Sequence, residues 1–283
     1  MREDIRLALR AQRVRDRMGK KTPRDVRGNA FADEVIFLEI QRALRSGRVV
    51  RFARRRTPGV LVVGDVKTPP KNDNKTIIAE EGEEVSIYVP MWKHTGDKLK
   101  TLAWIMAMQD DGPRARTLNL NIGPDVIQMA RQAKEKRGVG FARFLRDRMT
   151  KRLKKALKPF GLDTPDFFFW VEADRAGREH AHGVIVIPDH PEPTKLMRTI
   201  RSALKSAAGR WNPAEHENQV RLKQMHDPAG WAGYVTKWRN LTRLRIQNES
   251  TVAASGGVRS RASAWYMEAR ASGAPISQPA GLL

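Results

Sequence analysis

Two apolar runs joined by a short polar turn constrain this chain more than any other feature. Phe167-Phe168-Phe169-Trp170-Val171 is an unbroken apolar, aromatic-rich segment of strand length, which predicts a buried β-strand. Asp174 to Glu179 contains a glycine and reads as a turn. His180 to Ile187 then returns as a second strand, so the two predict an antiparallel hairpin. A hairpin brings cross-strand residues to within about 5 Å of one another.

That hairpin organises a group of metal-ligating side chains. His180 and His182 are two residues apart, so on a strand both imidazoles point to one side. Glu172, at the end of the first strand, can supply an oxygen across the pair, with Asp174 as the substitute ligand. Two imidazoles and one carboxylate leave coordination positions open for water and a phosphate oxygen. This suits a catalytic divalent ion better than a closed structural site.

A nucleophile follows later in the chain. Asp227-Pro228 supplies an N-cap and a first-turn proline for a helix that carries Tyr234. Lys237 lies three residues on, a spacing at which helical side chains are surface neighbours. Free tyrosine has a pKa near ~10, so attack at neutral pH needs a metal and a nearby cation to stabilise the developing charge. Trp231 and Trp238 are expected to fasten this helix to the sheet. Asn119 and Asn121 share one face of the strand Thr117 to Ile122 and can hydrogen-bond a substrate.

The remaining pattern is mixed. Helix is expected over 1–47, 101–108, 125–158 with a break near Gly138-Val139-Gly140, and 196–207. Strand is expected over 49–65, 86–89 and around Val220 to Lys223. The fold class is therefore α+β. An antiparallel sheet of four to five strands, built on 115–122, 167–173, 180–187 and 218–224, is covered by helices, with a mostly helical N-terminal extension. Three regions are expected: an accessory part over 1–110 for DNA binding or oligomerisation, a catalytic domain over 111–246, and a loosely ordered Ser-, Gly- and Ala-rich tail over 247–283.

Charge narrows the partner. Lys plus Arg number 53 against 31 Asp plus Glu, a net +22. Such an excess attracts polyanions, and nucleic acid is the default polyanion. There is no cysteine, which excludes disulfides and thiolate zinc sites. No apolar run approaches the ~20 residues that span a bilayer, and the opening residues lack the apolar stretch of a secretory signal. A cytoplasmic protein with no membrane partner is expected.

These motifs, in this order, resemble the HUH endonucleases, and among them the rolling-circle replication initiators with a single catalytic tyrosine. The resemblance covers roughly residues 115–240. The family's first motif is a short alternating strand, which Thr117 to Ile122 looks like, although asparagines stand where threonines are usual. The second, His-hydrophobic-His before apolar residues, is matched by His180-Ala181-His182-Gly183-Val184-Ile185-Val186-Ile187. The third, Tyr-x-x-Lys on a helix, is matched by Tyr234-Val235-Thr236-Lys237. Val220-Arg221-Leu222-Lys223 looks like the strand that precedes that helix, with Arg221 and Lys223 as DNA-backbone contacts.

The resemblance implies Mg²⁺ or Mn²⁺ held by Glu172, His180 and His182, and attack by Tyr234 to give a 5′-phosphotyrosine. Single-stranded or hairpin DNA is the implied substrate, and plasmid or phage replication the implied role. Because no Gly-x-x-x-x-Gly-Lys-Ser/Thr loop is present, unwinding would fall to a separate helicase. The tyrosine follows the histidines, as in initiators and in single-tyrosine transposases of mobile elements, which remain the nearest alternative. A non-catalytic basic DNA-binding protein is the other.

Overall fold

The computed structural model describes residues 27–53, 84–109, 114–173, 178–211, 218–237, 242 and 250–276. The expected strand around Val60 to Val63, the loop over 67–74, the boundary near 110–113, Asp174 and Trp238 lie outside them. The described residues form an α+β protein with seven α-helices. Two compact units divide it: residues 1–100 with 266–283, and Thr101–Trp265.

In the first unit, helix α1 (Arg27–Arg45) precedes strand β1 (Val49–Ala53), which pairs in parallel with β2 (Glu84–Tyr88). The far edge of β1 takes the short C-terminal strand β8 (Pro275–Ile276) in antiparallel fashion. Strands β1 and β2 overlap the segments expected as strand, 49–65 and 86–89, and helix outweighs strand among the described residues of 1–110. One expectation is corrected here. The tail expected to be loose instead holds strand β7 (Val252–Ala254), helix α7 (Gly256–Ser272) and β8. Val258, Ala262, Tyr266 and Ala269 recur at helical spacing and are buried, which overrides the loop-like composition.

The second unit begins within helix α2 (Asp97–Gln109) and carries the expected antiparallel sheet with a fifth strand. Strands β3 (Ala115–Asn121), β4 (Phe167–Ala173), β5 (Glu179–Val186), β6 (Val220–Gln224) and β7 lie in the order β6-β3-β5-β4-β7. Strands β4 and β5 form the predicted hairpin, with Glu172 opposite His180 and Trp170 opposite His182. On the other side of β5, Asn119 faces His182 and Asn121 faces His180.

This register sorts the side chains onto two faces. Leu118, Leu120, Phe167, Phe169, Val171, Ala181, Ile185 and Leu222 share one face and pack against helices α3 (Pro124–Arg137), α4 (Phe141–Leu157) and α5 (Pro193–Ala208). The i, i+4 stripe Phe141, Leu145, Met149, Leu153 and Leu157 is the core side of α4. Gly138, at φ 64°, separates α3 from α4 at the expected break. The other face carries Asn119, Asn121, His180, His182, Glu172 and Trp170. Over Trp170, Thr101 of α2 accepts the indole N–H at 3.0 Å, and Trp104 packs against Phe168. All seven residues of β4 are buried, as a strand covered on both faces must be. No helix among the described residues is long and apolar enough to cross a membrane.

Candidate metal and nucleophile site

Glu172, His180 and His182 converge on the second sheet face, their ligand atoms all within 4.8 Å of one another. The Nε2 of His180 lies 3.5 Å from one Glu172 carboxylate oxygen, and the Nε2 of His182 lies 3.4 Å from the other. Nitrogen and oxygen ligands at 2.0–2.2 Å from one divalent ion stand about 3.0–3.6 Å apart, so these separations match a shared ion.

The outward nitrogens are equally ordered. Nδ1 of His182 donates to the side-chain oxygen of Asn119, and Nδ1 of His180 faces the carbonyl of Arg178 at 3.2 Å. Both acceptors leave the two Nε2 lone pairs directed at Glu172, which is how protein metal sites orient their imidazoles. Glu172 is 4% exposed and His182 6%. Glu172 Oε2 and His182 Nε2 are buried with no hydrogen-bond partner. Buried polar atoms without partners cost free energy, and an ion bound by both would remove that cost. Burial, helped by His180 and Lys237, pushes the His182 imidazole down to about 3. It is therefore neutral at physiological pH, as a ligand must be. The group could hold a metal ion.

Helix α6 (Pro228–Val235) lies over this cluster. Asp227 caps it by accepting the Gly230 amide at 2.6 Å, and Pro228 occupies its first turn, as expected. Trp231 ties it to the sheet: its indole N–H donates to the Gly183 carbonyl at 2.9 Å. Gly183 has no room for a side chain, since a Cβ there would stand 1.9 Å from the Phe168 carbonyl oxygen. Trp231 also stacks on Tyr234, with ring centroids 5.0 Å apart and planes inclined by 12°.

Tyr234 is 40% exposed, and its ring centroid lies 5.0 Å from that of His182. The predicted nucleophile and the predicted metal ligands are thus side by side. Lys237 departs from expectation in one respect: it lies past the helix end, in a turn closed by its own amide bonding the Tyr234 carbonyl at 3.2 Å. Thr236 tightens this turn by donating to the Ala232 carbonyl at 2.8 Å. The result is close contact, with the Lys237 amine 3.4 Å from the centroid of the Tyr234 ring and 3.8 Å from Glu172 Oε1.

A cleft of about 610 Å³ opens from this cluster across β3 and β6. Asn119, Asn121, Arg221 and Lys223 all line it, together with His180, His182, Trp231 and Tyr234. Asn121 donates to the Asn218 carbonyl at 3.3 Å, and Arg221 to the Asn218 side chain at 2.8 Å. Thr117, Arg178, Trp211 and Gln224 line the same cleft and are absent from the sequence-based set. Thr117 was accessible to the period-two rule, because it precedes Asn119 by two on the same face. No local pattern marks Trp211, which reaches the cleft from the segment after α5; its indole N–H is buried without a partner.

Comparisons with protein-family models, with curated proteins and with solved structures find no match for this chain.

Proposed function

We propose that this protein is a metal-dependent single-strand DNA nicking and joining enzyme of the HUH kind, initiating rolling-circle replication of a plasmid or phage. The observation that carries this reading is the Tyr234 ring set against His182, with Lys237 between the phenol ring and Glu172. A tyrosine, a cation and an ordered two-imidazole, one-carboxylate cluster are the parts that covalent phosphodiester cleavage needs.

Glu172, His180 and His182 would hold Mg²⁺ or Mn²⁺, which when bound supplies Lewis-acid polarisation of the scissile phosphate. The Tyr234 oxygen attacks phosphorus as its proton passes to solvent. The bond from phosphorus to the 3′ oxygen breaks, and that oxygen keeps the electron pair and takes a proton from water. The products are a 5′-phosphotyrosine and a free 3′-hydroxyl, which can prime synthesis or reverse the step. Lys237 offsets negative charge on the transferred phosphate and holds the phenol. Arg221 and Lys223 guide the strand by its backbone, and the half-buried Trp231 stacked on the exposed Tyr234 offers an aromatic edge to unstacked bases.

The deciding experiment incubates the protein with single-stranded oligonucleotides and Mn²⁺ and resolves the products on a denaturing gel. A protein–DNA adduct that forms with wild type and is missing from Tyr234→Phe supports the reading. An adduct that persists in the variant, or cleavage without any adduct, contradicts it.

A further inference from the structure

Helices α3, α4 and α5 cover the sheet face opposite the histidines, and their solvent side is crowded with cations. These helices contain 15 Lys and Arg against 3 Asp and Glu, and α5 has no acidic residue. Their net charge of +12 is more than half of the chain's +22.

The charges are organised by the core. Because Leu145, Met149 and Leu153 face inward, Arg143, Lys151, Lys154 and Lys155 fall on the exposed side of α4. Helix α5 runs antiparallel beside it: Lys195 near its start lies over the Phe160 ring, and Ala207 near its end accepts from Arg148 at 3.0 Å. The exposed Arg198 and Arg201 therefore form a second row alongside the first. The α4 row extends about 18 Å and the two arginines of α5 about 4.5 Å, on helices whose axes lie about 8–10 Å apart. Like charges one helical turn apart are destabilising, and Arg148 is held below its usual range by burial and by Arg152. A bound polyanion would relieve this repulsion.

We propose that this layer is a second nucleic-acid surface, which holds duplex DNA through its phosphates without reading sequence. Single strands favour aromatic platforms for their bases, yet the aromatic residues of these helices, Phe141 and Phe144, pack on the core. Membrane-surface helices insert apolar side chains, and Met129 is the one exposed large apolar residue on these three. What remains exposed on α4 and α5 is mainly charge, carried by Arg143, Lys151, Lys154, Lys155, Arg198 and Arg201. The proposal stands whether or not Tyr234 is a nucleophile.

The test uses the full chain and measures binding to a mixed-sequence duplex, to a single strand and to phosphatidylserine vesicles across a salt series. Lys151→Glu, Lys155→Glu and Arg201→Glu are combined in one variant; Arg42→Glu, Arg45→Glu and Lys93→Glu in the first unit form a charge-matched control. The first variant should bind duplex at least about tenfold more weakly, with a salt slope smaller by roughly 0.9 for each phosphate no longer neutralised. The control should stay near wild type. Equal losses in both variants, no loss in either, or a loss confined to vesicles would overturn the proposal. A triple Gln variant at the same three positions reads the same slope if the Glu variant fails to fold, and a wild-type slope there also overturns it. Adduct formation on single strands is scored in parallel, so failure of the nicking chemistry and failure of duplex binding are told apart.

Discussion

Asn119 accepts the Nδ1 proton of His182 across the β3–β5 pairing, and this contact turns the other ring nitrogen toward Glu172. One neutral amide on a neighbouring strand thus sets the tautomer and ring orientation of a buried imidazole. Losing such an outer partner typically weakens metal binding about 10- to 100-fold. Asn119→Ala should lower Mn²⁺ affinity by that range in calorimetry, and Asn119→Asp, which keeps an acceptor, should recover much of it. Unchanged affinity in the alanine variant would mean the contact does not orient the ligand.

Tyr234→Phe removes one oxygen from a ring held by stacking and by Lys237, and leaves the metal cluster untouched. Covalent adduct should disappear, whereas thermal stability and Mn²⁺ affinity should stay at wild-type values. A fall in metal affinity would assign the phenol to the ion instead.

Stability of the metal-free protein should depend on pH through His182. Its folded value is about 3, against about 6.5 in an unfolded chain. Between these values the unfolded chain binds the proton and the folded one does not, so stability falls as pH drops. The contribution is intact above about 6.5 and lost progressively toward 3. Thermal melts from neutral to acid pH should slope accordingly in wild type and more shallowly in His182→Gln. Parallel profiles would show that the imidazole is not buried in its neutral form.

Lys237 faces both the phenol ring and Glu172, so its removal should have opposed effects. Lys237→Met should slow adduct formation by about 10- to 100-fold, since it takes away charge stabilisation at the phosphate. It should also tighten Mn²⁺ binding by removing a cation beside the carboxylate. Wild-type rate with wild-type affinity would make the lysine a bystander.

Gly183→Ala tests the frame. A methyl group there would meet the Phe168 carbonyl and the Phe169 Cα, at 1.9 and 2.6 Å, and neither backbone atom can yield without parting β4 from β5. A loss of about 3 kcal/mol is expected in denaturant unfolding. Metal affinity should fall with it, because Glu172 and the histidines sit on the two parted strands.

Much of this arrangement was legible in the chain because it follows from local periodicity. Alternation with period two placed His180 with His182 and Asn119 with Asn121, and the apolar run Phe167 to Val171 made a hairpin with Glu172 at its end the natural outcome. The helix start at Asp227-Pro228 was readable because a cap is a contact between residues three apart. Where composition stood in for periodicity, it misled: Ser and Gly suggested a loose tail, but buried Val258, Ala262 and Tyr266 hold a 17-residue helix there.

What the amino acids determined alone was which groups share a strand face, which helix carries the phenol, and how much positive charge the molecule must display. The tertiary structure decided the rest: that Asn119 reaches His182 rather than only a substrate, that Trp231 fixes α6 to the Gly183 carbonyl, and that the Lys237 amine settles between the ring and Glu172. The physical reason is range. Strand alternation, helix capping and charge are properties of neighbours along the chain, whereas strand order and the seating of a helix on a sheet depend on burial summed over residues far apart in it.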